Sequence, residues 1–166
     1  GVENFLNQAI AAGADGLIVV DLPPEEDGEL CLPAIKHGLP FVRLTAPTSD
    51  NERLPVILKN ASGFIYYVSI MGITGTQSFA IEGVRNSVKS LKSHTELPIA
   101  VGFGIKTKQD VSEITRIADA AIVGSAVVDV IEKSLDANGN GNAKTVEDAL
   151  ALVQDLASGI RPKSQL

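Results

Sequence analysis

Two apolar runs that end in glycine carry the clearest chemical signal in the chain. The first is Ile99-Ala-Val-Gly-Phe-Gly104 and the second is Ala121-Ile-Val-Gly-Ser125. A glycine at the carboxyl end of a strand lets the backbone approach a ligand, because no side chain stands in the way. The residues after each run have helical patterning, so free N–H groups at a helix start would point back towards the strand end. Such amides suit an anion, and two turns about twenty residues apart suit the several oxygens of one phosphate. Glycine also ends ordinary turns, so Gly-Phe-Gly alone would say little. The pair, with its spacing, points to phosphate.

The other reactive side chains have plainer explanations. Asp21 ends an apolar run, where a carboxylate can serve a site or cap the turn before Pro23. Glu25 and Glu26 suit a helix start, whose dipole favours negative charge. His37 and His94 fall near helix ends and are expected in solvent. Cys31 is the single cysteine, so no internal disulfide can form, and it suits helix packing rather than nucleophilic chemistry. Asn138 to Asn142 resembles a calcium loop in composition only; it lacks the carboxylate spacing, and no metal site is expected.

The elements that must hold those glycines alternate along the chain. Phe5, Ala9, Ile10 and Ala12 recur at helical spacing before Gly13 stops the pattern. Residues 16–21 form a continuous apolar run, the pattern of a parallel strand covered on both faces. A helix is expected over 25–37, with Pro33 as an irregularity, then a strand over 40–45. Ser49 or Asp50 can cap a helix reaching about Asn60. Residues 63–69 read as a third strand, in which Tyr66 and Tyr67 face opposite sides. Residues 70–79 read as a long glycine-bearing loop of the kind that serves as a lid. A helix at 82–93, a strand at 97–101, a helix at 107–117 capped by Thr107, a strand at 120–123 and a helix at 126–135 follow. Residues 136–142 are expected as a flexible polar linker and 145–157 as a last amphipathic helix. The domain is expected over 1–158, with 159–166 a frayed tail.

A helix followed by five βα units makes a parallel α/β sheet with right-handed crossovers. Five strands are too few for a closed eight-stranded barrel, so an open doubly wound sheet and the carboxyl-terminal part of a barrel both fit. In a (β/α)8 barrel a phosphate sits after the last two strands. The 166 residues, 45% hydrophobic and 20% charged, fit one globular domain with a sizeable core. A net charge of −6 without a basic cluster argues against nucleic acid as a partner. No apolar run approaches the roughly 20 residues of a membrane span, and no signal-type segment opens the chain. A cytoplasmic enzyme is expected. The chain opens on Gly1 within a helical pattern, so part of the protein is expected to precede it.

The chain closely resembles the carboxyl-terminal part of the tryptophan synthase alpha chain family. The matching stretches are Asp21-Leu-Pro-Pro-Glu-Glu26, Tyr66-Tyr-Val-Ser69 with Gly72-Ile-Thr-Gly75, Gly102-Phe-Gly-Ile105 and Gly124-Ser125, in the family's order and spacing. The resemblance implies a (β/α)8 TIM barrel, here incomplete and holding strands four to eight. It implies a lyase of tryptophan biosynthesis, which cleaves indole-3-glycerol phosphate to indole and glyceraldehyde 3-phosphate without a cofactor. Indole then passes to a partner beta chain carrying pyridoxal phosphate, in an alpha2-beta2 heterotetramer. By position, Gly75, Gly104, Gly124 and Ser125 resemble the phosphate cradle, and Phe103 resembles a wall against the indole ring. Tyr66 resembles the tyrosine beside the substrate, while Ile18, Val20 and Leu44 would line the apolar side of the pocket. Thr74 resembles the lid threonine that reaches the catalytic aspartate; Ile70 stands where some members carry arginine.

The family's catalytic glutamate and aspartate lie on the second strand and the loop after it, and by resemblance both precede residue 1. Cleavage needs a proton delivered to the indole ring and another removed elsewhere. This chain alone is therefore expected to show no turnover. Two other functions fit parts of the pattern. One is another phosphate-binding barrel, such as an indole-3-glycerol phosphate synthase or a thiamine phosphate synthase. The other is a non-catalytic module that binds phosphate, docks on the beta chain or self-associates through open strand edges.

Overall fold

The computed structural model describes residues 1–69, 77–102 and 104–160. In chain order the elements are α1 (Val2–Ala11), β1 (Leu17–Ile18), a 3-10 turn (Pro24–Glu26), α2 (Cys31–Lys36), β2 (Phe41–Thr45) and α3 (Leu54–Leu58). Then come β3 (Ile65–Val68), α4 (Gln77–Lys92), β4 (Ile99–Gly102), α5 (Lys108–Ile114), β5 (Ala120–Ile122), α6 (Ser125–Ser134) and α7 (Ala143–Ala157). The five strands lie in the sheet in the order β1-β2-β3-β4-β5. β1 and β2 pair in parallel, as do β2 and β3. Between β3 and β4 the amides of Ile65 and Ser69 reach the carbonyls of Pro98 and Gly102, at 2.8 and 2.9 Å. Equal steps on both strands mean that this pair is parallel too. Strand order advancing with the chain excludes the doubly wound alternative, in which the order reverses at a switch point. The sequential parallel order is the one that consecutive strands take in a (β/α)8 barrel.

The chain forms two compact units, Gly1–Val68 with Asn86–Ala100, and Ser69–Arg85 with Val101–Leu166. In the first unit Leu6, Cys31, Ala34, Leu39 and Phe41 are buried together, with Leu17 and Val19 packed against them. This is the helix side of β1 and β2, and Cys31 takes the packing role expected of it. The helix expected over 25–37 is interrupted. The chain makes the 3-10 turn and reaches α-helix again only at Cys31. The cause lies at Asp27, whose buried carboxylate pairs with the Arg43 guanidinium of β2 and accepts a bond from Asn60 Nδ2 at 2.7 Å. Arg43 Nη1 donates to the Leu22 carbonyl at 3.1 Å, and the guanidinium carbon lies 4.7 Å from the Phe41 ring centre. A regular helix would carry Asp27 past this partner.

The helix expected from Ser49 or Asp50 starts later, at Leu54. Both residues close turns instead: Ser49 Oγ accepts from the Ala46 amide, and Asp50 Oδ1 accepts from the Arg53 amide at 2.8 Å. β1 is shorter than the run at 16–21 suggests, since only Leu17 and Ile18 pair, both with β2. Both end strands, β1 and β5, are short.

In the second unit α5 opens with the expected Thr107 cap. Thr107 Oγ1 accepts from the Asp110 amide, and the Asp110 carboxylate accepts from the Thr107 amide. The stretch at 136–142 is closed on itself: Asp136 accepts the amides of Asn138 and Asn140 at 2.8 and 2.9 Å. Asn142 then caps α7, which starts two residues earlier than the expected Thr145. Gly159, assigned to the tail by sequence, is buried. A Cβ there would stand 2.2 Å from the Lys108 carbonyl oxygen. Residues 161–166 of that tail lie outside the described residues.

Candidate functional site

The two glycine-ended runs become β4 and β5, neighbours in the sheet. Both turns that follow belong to the second unit. After β4 the chain turns at Gly104 with φ +79°, a left-handed conformation that a side chain makes costly. The next amides, of Lys106 and Thr107, are both bound by the Asp110 carboxylate at 3.0 and 2.9 Å. After β5 the chain enters α6 directly at Gly124-Ser125, and among the described residues no side chain caps this helix. The amides of Val127 and Val128 turn back on the Gly124 carbonyl. Those of Ser125 and Ala126 precede the first intrahelical acceptor and face out of the helix start. α5 and α7 differ, since each closes its first turn with its own capping box. Among the described residues a Cβ on Gly124 would meet nothing within 4 Å, and Gly124 and Ser125 are exposed. Free amides at a helix start favour negative charge in front of them.

Ser69 was not singled out from the sequence, yet it braces this end of the sheet. Fully buried, it donates both its amide and its hydroxyl to the Gly102 carbonyl, each at 2.9 Å. The strand end before Gly104 is thereby tied to the end of β3. The only signal in the sequence was a polar residue closing an apolar strand.

In the first unit the register gathers the expected pocket residues on one face. Leu44 lies opposite Tyr66, and Ile18 lies opposite Val42. Alternation along the strands puts Ile18, Leu44 and Tyr66 on the side away from the helices, while Val20 lies beyond β1 in a turn. Tyr67 faces the other way, as expected, and its hydroxyl donates to Ser87 Oγ on α4 at 3.0 Å. Leu44 and Tyr66 are half-buried, while Ile18 is 49% and Val20 73% exposed. Phe103, Thr74 and Gly75 lie outside the described residues.

The remaining candidates separate from the site. Glu25 is held by a two-pronged Arg53 guanidinium, with Nη2 to Oε2 at 3.0 Å, which keeps its carboxyl below the usual range. His37 is not simply solvated; its Nε2 meets Glu3 Oε2 at 2.8 Å. His94 is exposed, with Nδ1 at 2.9 Å from the Ser90 carbonyl. Asp21 is exposed. Among the described residues no group of three His, Cys, Asp or Glu side chains could hold a metal ion, and no helix is long and apolar enough to cross a membrane.

With this geometry in place, the likeness to known proteins is specific. The family model described as tryptophan synthase alpha chain matches residues 1–161. The tryptophan synthase subunit alpha of Campylobacter jejuni is 33% identical with a TM-score of 0.81, over 94% of this chain and 59% of its own. The alpha chain from Legionella pneumophila subsp. pneumophila is 32% identical with a TM-score of 0.81, over 100% of this chain and 59% of its own. Tryptophan synthase from Mycobacterium tuberculosis, in an open form with BRD0059 bound, is 30% identical with a TM-score of 0.79, over 97% and 56%. The chain therefore spans under three fifths of the length of each of these structures.

Proposed function

The chain belongs to the tryptophan synthase alpha chain family, and on that premise we propose that it is the strand-four-to-eight part of a lyase that cleaves indole-3-glycerol phosphate to indole and glyceraldehyde 3-phosphate. The observation that carries the proposal is the uncapped start of α6 at Gly124-Ser125, following the strand next to the one that ends at the left-handed Gly104. The amides of these turns and the Ser125 hydroxyl take the phosphate. Tyr66, Leu44, Ile18 and Val20 take the indole side, where apolar surface suits the ring. By resemblance Phe103 adds a wall, Gly75 a further amide and Thr74 the contact made when the lid closes.

Bond cleavage needs an acid and a base placed at the substrate. By resemblance the glutamate and aspartate that serve lie on the second strand and the loop after it, a region that precedes residue 1. The chain alone then binds phosphate weakly and releases no indole. In the whole enzyme the partner is a tryptophan synthase beta chain, in an alpha2-beta2 assembly in the cytoplasm. Pyridoxal phosphate sits in that partner, and the alpha chain needs no cofactor.

The test is an amide-resolved NMR titration of the 166-residue chain with inorganic phosphate and with glyceraldehyde 3-phosphate. Saturable shifts are expected at Gly104, Gly124, Ser125 and Ala126. Shifts confined to other residues would remove the phosphate assignment. Indole released on addition of indole-3-glycerol phosphate would overturn the expected inactivity.

A further inference from the structure

We propose that the first unit carries a second small-molecule site, on the helix side of β2 and β3, for an uncharged polyol. A cavity of about 230 Å³ opens there beside α4 and the turn after β2. Drug-sized ligands occupy roughly 300–1,000 Å³, so this space suits a smaller solute. Thr45 and Tyr67 are paired in register and share this face of the sheet, opposite the face that carries Leu44 and Tyr66. The site is thus distinct from the proposed indole side and goes beyond the activity assigned above.

Thr45 is 3% exposed and lines the cavity, and among the described residues its buried Oγ1 has no hydrogen-bond partner. Buried hydroxyls are normally satisfied, so an unpartnered one on a residue that lines a cavity points to a group that completes it. The neighbouring polar groups keep bonding capacity in reserve. Tyr67 donates to Ser87 Oγ, so the Ser87 proton remains to be given. Ser90 Oγ donates to Asn51 Oδ1 at 2.9 Å, so the two N–H groups of the Asn51 amide remain. Leu54 and Leu91 supply an apolar wall between these groups. Among the described residues no lysine, arginine, histidine or carboxylate lines the cavity, so a phosphate or a carboxylate would enter without a counter-charge. Hydroxyls and amides on one side and hydrocarbon on the other match the C–H and O–H faces of a short polyol.

The experiment is saturation-transfer NMR on the 166-residue chain with xylitol as the probe and glycerol 3-phosphate as the charged competitor. A saturable xylitol signal is expected, with a dissociation constant of about 1–10 mM. Thr45→Val should weaken it about tenfold, Thr45→Ser should retain it, and Ser90→Ala should weaken it independently of Thr45. A cavity occupied by water alone would give no saturable signal and overturn the proposal. Equal binding by the wild type and Thr45→Val, or displacement by glycerol 3-phosphate, would overturn it as well.

Discussion

Removing one member of the Asp27–Arg43 pair should destabilise the chain far more than removing both. Their side chains are only 8% and 4% exposed, so neither charge can turn to water without moving the backbone. In Asp27→Leu the guanidinium keeps the Leu22 carbonyl and the Phe41 ring but loses its counter-charge, and Asn60 loses its acceptor. In Arg43→Met the carboxylate keeps Asn60 alone. Leaving one buried charge unpaired costs about 3–5 kcal/mol, against a total stability of about 5–15 kcal/mol for a domain. The double variant replaces both charges with apolar groups in an apolar setting and should lie near wild type, or up to about 4 kcal/mol above it. Urea unfolding followed by circular dichroism measures the cycle. At a slope of about 1–3 kcal/mol per molar, each single variant should move the midpoint down by at least about 1 M. Burial pulls the Arg43 pKa down, with the nearby Glu25 charge opposing, and pairing is what keeps a cation tolerable there. Single-variant losses below about 1 kcal/mol, or additivity within about 0.5 kcal/mol, would refute the coupling.

Other changes test other parts of the chain. Gly159→Ala drives a Cβ to 2.2 Å from the Lys108 carbonyl, so it should cost about 1–3 kcal/mol in thermal unfolding. Ser69→Ala removes a buried donor from the Gly102 carbonyl and should cost about 1 kcal/mol. It should also weaken the phosphate titration at Gly104. The amides of Asn140 and Asn138 hold the Asp136 carboxyl below its ordinary pKa. The folded chain therefore binds that proton less readily than the unfolded one, so the turn contributes stability above the ordinary carboxylate pKa. That contribution is lost as the pH falls through the lowered value. A carbon-13 titration should place the Asp136 midpoint below that of an unstructured peptide, and Asp136→Asn should remove this part of the acid-side loss.

Much of the fold was legible because local pattern carries it. Continuous apolar runs alternating with helical spacing identified the parallel strands, and Thr107 ahead of Asp110 announced the start of α5. Adjacent tyrosines on one strand had to face opposite ways, and the hydrogen bond from Tyr67 to Ser87 shows which one faces the helices. Helix lengths were less legible. The helices near Glu25 and Asp50 are shorter than their local patterns suggest, since Asp27, Ser49 and Asp50 form bonds that propensity cannot foresee. Thr45 gave no sign of an unmet bond, and Ser69 gave only its polarity at the end of an apolar strand.

By itself the sequence determined the alternation of strand and helix, the glycines at the ends of β4 and β5, and through them the chemistry open to the backbone. Those properties reside in each residue's own hydrophobicity and backbone freedom. The tertiary structure alone decided that strand order follows the chain, that Arg43 and Asp27 meet in the interior, and that Gly159 lies against Lys108. Each of these depends on groups far apart in the chain, and only packing selects a distant partner.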